Sequence, residues 1–248
     1  ILFPKGVFES PNDIQSLQRW NRVVGLYFIC LSLGLFSFFV YQGISTTANY
    51  RSLLKLIIVF FAFGVNSITN IYLSLKSQYK KFEQEIKNST NKLRWKEFAL
   101  TSSLMVLVLA LFLDITSIFQ LVLLFFMHYK AVLLSSRIEL ASGNLKSVVS
   151  EMVISAIMYS YVWLELLSKS TQLITDSWFS ATNLTYLTYS IFCVYPIIFM
   201  IQFTKEFKHK FGLIERMFSI WSVLTKAVFV SYVLVIILNM YYSSEAVN

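Results

Sequence analysis

The chain has 248 residues, of which 56% are hydrophobic, 17% aromatic and only 14% charged. Soluble domains carry about 25% charged residues, so the composition leaves a polytopic membrane protein, and the absence of alternating barrel strands makes it all-α. The net charge of +8 fits basic cytosolic loops rather than a surface for nucleic acid.

In chain order, Lys5, Arg19 and Arg22 precede a first apolar run, 23–43, which is too long for a signal-peptide core and reads as a retained span with the N-terminus in the cytosol. A short ISTTANY link leads to a second span, 51–75. The basic stretch 76–97, KSQYKKFEQEIKNSTNKLRWKE, has helical propensity but few apolar positions and is expected as a cytosolic amphipathic segment. The next run, 98–135, would measure about 57 Å as one helix, almost twice the ~30 Å of hydrocarbon. Its LFLDITS interruption holds Asp114, and a carboxylate at mid-bilayer costs about 3 kcal/mol on insertion scales. The chain is therefore expected to turn there, giving spans 98–114 and 116–135 and returning Lys130, Arg137 and Lys146 to the cytosol.

The stretch 136–180 is harder to place. Its segment 148–167 is apolar but contains Glu151 and Glu165. If it crosses, there are seven spans and the patch with Lys205, Lys208, Lys210 and Arg216 lies inside; if it remains cytosolic, there are six. Charge bias alone favours seven. Two further spans follow, 183–203 with Pro196 as a kink, and 217–241. The fold expected is a single transmembrane helical bundle over 1–248, with six to seven spans and cytosolic helical extensions, multi-pass in the plasma membrane.

Chemistry-bearing motifs are sparse. His128 and His209 are far apart and have no ligand partners at metal-binding spacing. Cys30 and Cys193 lie in apolar runs and read as small buried hydrophobes. There is no nucleophile elbow or glycine-rich phosphate loop. The expectation is a protein that is not an enzyme and takes no metal or cofactor. Asn66 and Asn70, at i and i+4 with Thr69 beside them, share one face of the second span. They serve either interhelical hydrogen bonds or the lining of a solvated vestibule.

Several stretches resemble insect gustatory receptors. YKAVLLSSRIELASGNL, with Arg137-Ile138 and Asn144, is similar to the cytosolic end of that family's fourth helix. Leu164, Leu167, Ile174-Thr175-Asp176 and Phe179-Ser180 are similar to the approach to its fifth. Gly25 matches the entry to its first helix and Glu245-Ala246 the exit from its sixth. Thr188-Tyr189 and Gln202-Phe203 do not match its seventh helix, because their spacing is too wide. The resemblance implies a six-span fragment lacking the seventh helix, with 136–180 cytosolic, from a tastant-gated, non-selective cation channel. It further implies homo- or heterotetramers in the lipid bilayer. The pocket it implies, in the outer halves of the spans, takes Phe60, Phe61, Phe112, Asp114, Gln120, Tyr189, Phe192, Tyr195 and Trp221. The alternative is a seven-span serpentine receptor or another multi-pass membrane subunit.

Overall fold

A computed structural model describes residues 11–45, 50–88, 90–140, 145–173, 178–202 and 210–245, and among these there is no strand. The helices are α1 (Pro11–Ser45), α2 (Tyr50–Ser74), α3 (Tyr79–Lys87), α4 (Lys92–Phe112), α5 (Ile118–Leu140), α6 (Leu145–Gln172), α7 (Ala181–Phe192), α8 (Val194–Ile201) and α9 (Phe211–Glu245), with a 3₁₀ turn at Lys76–Gln78. Seven stretches are long and apolar enough to cross a membrane, α7 and α8 together making one of them. Lys146–Gln172 is among the seven, which favours the seven-span alternative over a cytosolic 136–180.

α4 is the central helix. Some 67% of its apolar window is buried, against 11% for α6, so α6 lies at the periphery with Ile157 and Leu164 facing outward. α4 packs against α2, α5 and α7, while α9 packs against α1, α7 and α8. Gly25 sets the closest approach of α1 to α2. A Cβ there would meet Ile71 Cγ1 and Cδ1 at 2.9 Å, the close backbone contact that small residues permit between membrane helices.

The helix ends explain themselves chemically. Asn91 caps α4 by accepting from the Arg94 N–H at 3.0 Å. At the other end Asp114 takes φ 54°, and the Ile115 N–H donates to Ala110 O at 3.0 Å, a Schellman closure with buried Ile115 completing it. Ser180 caps α7 through the Asn183 N–H at 3.2 Å. Cys193 separates α7 from α8, and Pro196 in the first turn of α8 offers no N–H to the preceding turn.

α3 is the amphipathic element expected within 76–97, and it is not wholly solvated. Phe82 and Ile86 bury their side chains against Ile14, Leu17, Leu73 and Phe211. The span that follows starts earlier than the sequence pattern suggests, because α4 already begins at Lys92. Its first turns alternate between exposed Lys92 and Lys96 and inward-facing Arg94 and Glu97. Of the resemblance-bearing residues, Asn144, Ile174, Thr175, Asp176 and Ala246 lie outside the described residues, as do Lys205 and Lys208.

Candidate functional site

Two charges meet in the interior of the bundle. Lys226, midway along α9, is 1% exposed and donates from Nζ to Glu97 Oε1 at 2.8 Å. Its aliphatic stem runs among Val59, Phe63, Met105 and Phe229, and the Phe28 ring lies 5.4 Å from Nζ. Glu97 also accepts from Thr101 Oγ1, one helical turn along α4, at 3.1 Å. With the Asn66 amide turned to suit its neighbours, its oxygen accepts from Lys226 Nζ and its nitrogen donates to Glu97 Oε1 at 3.3 Å. Asn70 holds the same turn of α2 by donating to the Asn66 carbonyl at 2.9 Å. Ionisable groups inside a membrane are expensive and mark functional sites by default. A pair this buried contributes little net stability against an apolar replacement, so its presence calls for a chemical role.

A polar cavity of about 50 Å³ extends from Glu97 past Asn66, Asn70, Ser219 and Ser222 to a second charged cluster at the α3 end of the bundle. There Arg94, under cover of Trp95 and Phe218 at 4.6 and 4.4 Å, bonds Glu139 Oε1 at 2.6 Å and pairs with Glu215. Asn91 Nδ2 donates to the same Glu215 at 2.9 Å. The cluster ties α4 to the end of α5 and the start of α9. Glu139 is thus turned inward as a structural partner, while Arg137 stays 68% exposed beside Glu151 at 3.5 Å.

On the other side of Phe98 and Tyr195 lies a larger cavity of about 310 Å³. Those two rings line both cavities and pack at a tilt with centroids 4.2 Å apart, so they form the partition between them. Tyr195 also donates to Thr225 Oγ1, beside Lys226, at 3.4 Å. The walls of the larger cavity are Phe192, Pro196 and Phe199 from α7 and α8, Tyr159 from α6 and His128 from α5. Small residues, Ala131, Ser155 and Ala156, leave the room. Trp163 backs this wall, 5.7 Å from Phe192 and 5.2 Å from Tyr189. An aromatic chamber with a few polar groups suits a small apolar ligand, and a buried lysine amine is a nucleophile suited to carbonyl compounds.

Of the residues expected to form a pocket, Phe192 and Tyr195 line this cavity, Tyr189 lies behind its wall against Trp163, and Trp221 donates from Nε1 to Ile191 O at 3.0 Å. Phe60 instead packs at a tilt against Phe36 and edge-on against Phe61, and Phe61 is 60% exposed on the lipid face. Phe112 is buried under Lys55 Nζ at 4.0 Å. Asp114 serves the turn after α4, and Gln120 opens α5, its N–H on Ser117 Oγ at 3.5 Å. Lys226 and Glu97 were absent from the sequence-based set. Lys226 had a readable signal, a lone charge near the middle of an apolar run; Glu97 had none, sitting at the edge of a basic segment. Among the described residues no group of His, Cys, Asp and Glu is arranged to hold a metal ion.

A search of curated proteins finds no match to the chain. A family comparison does: residues 35–238 match heliorhodopsin, a stretch that holds Glu97, Lys226 and the whole lining of the larger cavity. This overturns the resemblance to insect gustatory receptors and the missing seventh helix that went with it, since α9 supplies the seventh span-length helix. The short motifs misled because they sit elsewhere than a receptor would place them; Leu164 and Leu167 lie inside α6, Leu164 on its outer face. The tastant, the cation channel and the tetramer rested on that resemblance alone and go with it. The chain belongs to the heliorhodopsin family.

Proposed function

We propose that this protein is a light receptor of the membrane, with Lys226 as the attachment point for a retinal-type polyene aldehyde and Glu97 as its counter-ion. The observation that carries the reading is the buried Lys226–Glu97 pair, separated from an aromatic cavity by the Phe98 and Tyr195 rings, in a heliorhodopsin-family bundle. Such an aldehyde, condensed onto the lysine amine with loss of water, supplies the absorbing conjugated cation. The residues present fit it: an amine for the linkage, a carboxylate to balance the charge, and Phe98, Phe192, Tyr195 and Phe199 to enclose a conjugated chain.

The protein's own part is electrostatic and mechanical. Glu97, held by Thr101 and Asn66, keeps a negative charge against Nζ and so favours the cationic form. The Lys226–Glu97 bond also joins α9 to α4, whose second tie is Arg94 with Glu215. A change of charge at Nζ weakens the first tie and shifts the load to the second, a local electrostatic event biasing a helix contact. The polar cavity between the ties allows water to rearrange with them.

The N-terminus is assigned to the cytosol. With seven spans this puts Lys76, Lys80, Lys81, Lys87, Arg137, Lys146, Lys205, Lys208 and Lys210 on the inside, leaving Arg51, Lys55 and Lys169 towards the other face. The test of function is spectroscopic. All-trans-retinal added to the membrane protein should give a visible absorption band, lost in Lys226→Met and displaced to longer wavelength in Glu97→Gln. A band that survives in Lys226→Met removes the proposal.

A further inference from the structure

The walls of the larger cavity contain two polar groups that a hydrocarbon cannot satisfy. His128 is fully buried in α5. Its Nε2 lies 3.2 Å from Ser102 Oγ, and Ser102 gives its own proton to Phe98 O at 2.6 Å. Ser102 therefore receives the Nε2–H, which leaves Nδ1 as a bare acceptor. Neither Nδ1 nor the Tyr159 hydroxyl has a hydrogen-bond partner among the described residues. The two rings are 5.6 Å apart and line the same cavity, together with Ser135 and Ser160. Ser155, on the same wall, is already engaged, donating to Ala131 O at 2.8 Å.

This polar pair belongs to α5 and α6, which pack on each other, whereas Lys226 belongs to α9. Phe98 and Tyr195 stand between. A ligand anchored at the lysine that reaches past these two rings into the chamber would bring its far end to the wall holding His128 and Tyr159.

We infer that the pocket selects a ligand whose far end bears a hydroxyl group, that is, a ring-hydroxylated relative of retinal rather than one with a plain hydrocarbon ring. A hydroxyl answers both sites: it donates to His128 Nδ1 and accepts from the Tyr159 O–H. A ring ketone answers only Tyr159, and a hydrocarbon ring leaves both unmade, which buried groups disfavour. A site built to hydrogen-bond a hydroxyl rejects the analogue lacking it far more strongly than an apolar pocket rejects an added one.

The inference rests on the retinal-type reading, so its test is made independent of the covalent bond. In the full-length Lys226→Met protein, binding of β-ionone and of 3-hydroxy-β-ionone is measured by quenching of tryptophan fluorescence, Trp95 and Trp163 being adjacent to the chamber. The hydroxylated ring is expected to bind at least tenfold more tightly. Tyr159→Phe and His128→Leu should each reduce that preference to threefold or less while leaving affinity for the plain ring within a factor of about two. Equal affinities in the parent protein, or a preference for the plain ring, overturn the inference. So does a preference that both substitutions leave intact. A visible pigment that fails to form in the wild-type protein counts against Lys226 as the anchor, and the ring-fragment preference is read separately from it.

Discussion

Removing one half of the Lys226–Glu97 pair should cost the protein more than removing both. At 2.8 Å and an effective dielectric of 20, the two charges attract by about 6 kcal/mol, offset by the desolvation of both. Glu97→Gln leaves an ammonium group that is 1% exposed without its counter-charge, a change that costs about 3–5 kcal/mol for buried pairs. Lys226→Met leaves a carboxylate that keeps Thr101 and, through its amide, Asn66 as donors, so its loss belongs at the lower end of that range. The double variant Glu97→Gln/Lys226→Met has neither charge and a methionine of similar volume on the stem, and it should recover to within about 1 kcal/mol of wild type. The coupling is read from denaturant unfolding of the aldehyde-free protein in detergent, as a double-mutant cycle. If the double variant loses the sum of the two single losses, the groups are not paired and the reasoning fails.

Other expectations follow from the same contacts. Gly25→Ala places a methyl 2.9 Å from the Ile71 side chain and 3.1 Å from its backbone nitrogen, so the α1–α2 contact must open; thermal unfolding should show a loss of about 1–3 kcal/mol. Arg94→Met strands Glu139 and Glu215 in a buried cluster and should lower stability by about 3–5 kcal/mol, whereas Glu151→Gln, whose Arg137 partner is exposed, should change it by less than about 0.5 kcal/mol; paired unfolding curves separate the two. With seven spans and a cytosolic N-terminus, Lys208→Cys in intact cells should resist a membrane-impermeant thiol reagent and react after permeabilisation. Labelling before permeabilisation reverses the orientation or the span count.

The class of fold was readable because composition alone excludes most alternatives, and each long apolar run became a helix. Asp114 shows why local signals succeed: the only charge of the LFLDITS interruption in the apolar stretch from Phe98 to Ser135 falls where the structure places a helix stop with a positive φ. The segment around Glu151 shows where a resemblance misleads. Its two carboxylates left the span open and charge bias favoured a crossing, but the resemblance made it cytosolic; Glu151 sits near Arg137 at the helix start, and α6 is apolar enough to cross. The site was legible only in part. Phe192 and Tyr195, expected in a pocket only through the resemblance, do line the larger cavity, but the pairing of Lys226 with Glu97 joins residues 129 positions apart, a relation that periodicity does not carry. Asn66 and Asn70, read as one polar face, turn out to be the α2 side of that same pair.

The account stands most directly on the identity of the attachment residue. Membranes containing the protein are incubated with all-trans-retinal, reduced with borohydride to fix any linkage, and digested for peptide mass mapping. A single dominant adduct is expected on the α9 peptide bearing Lys226, its yield rising and saturating with the visible band. Adducts scattered over exposed residues such as Lys92 and Lys96, with Lys226 unmodified, would contradict it.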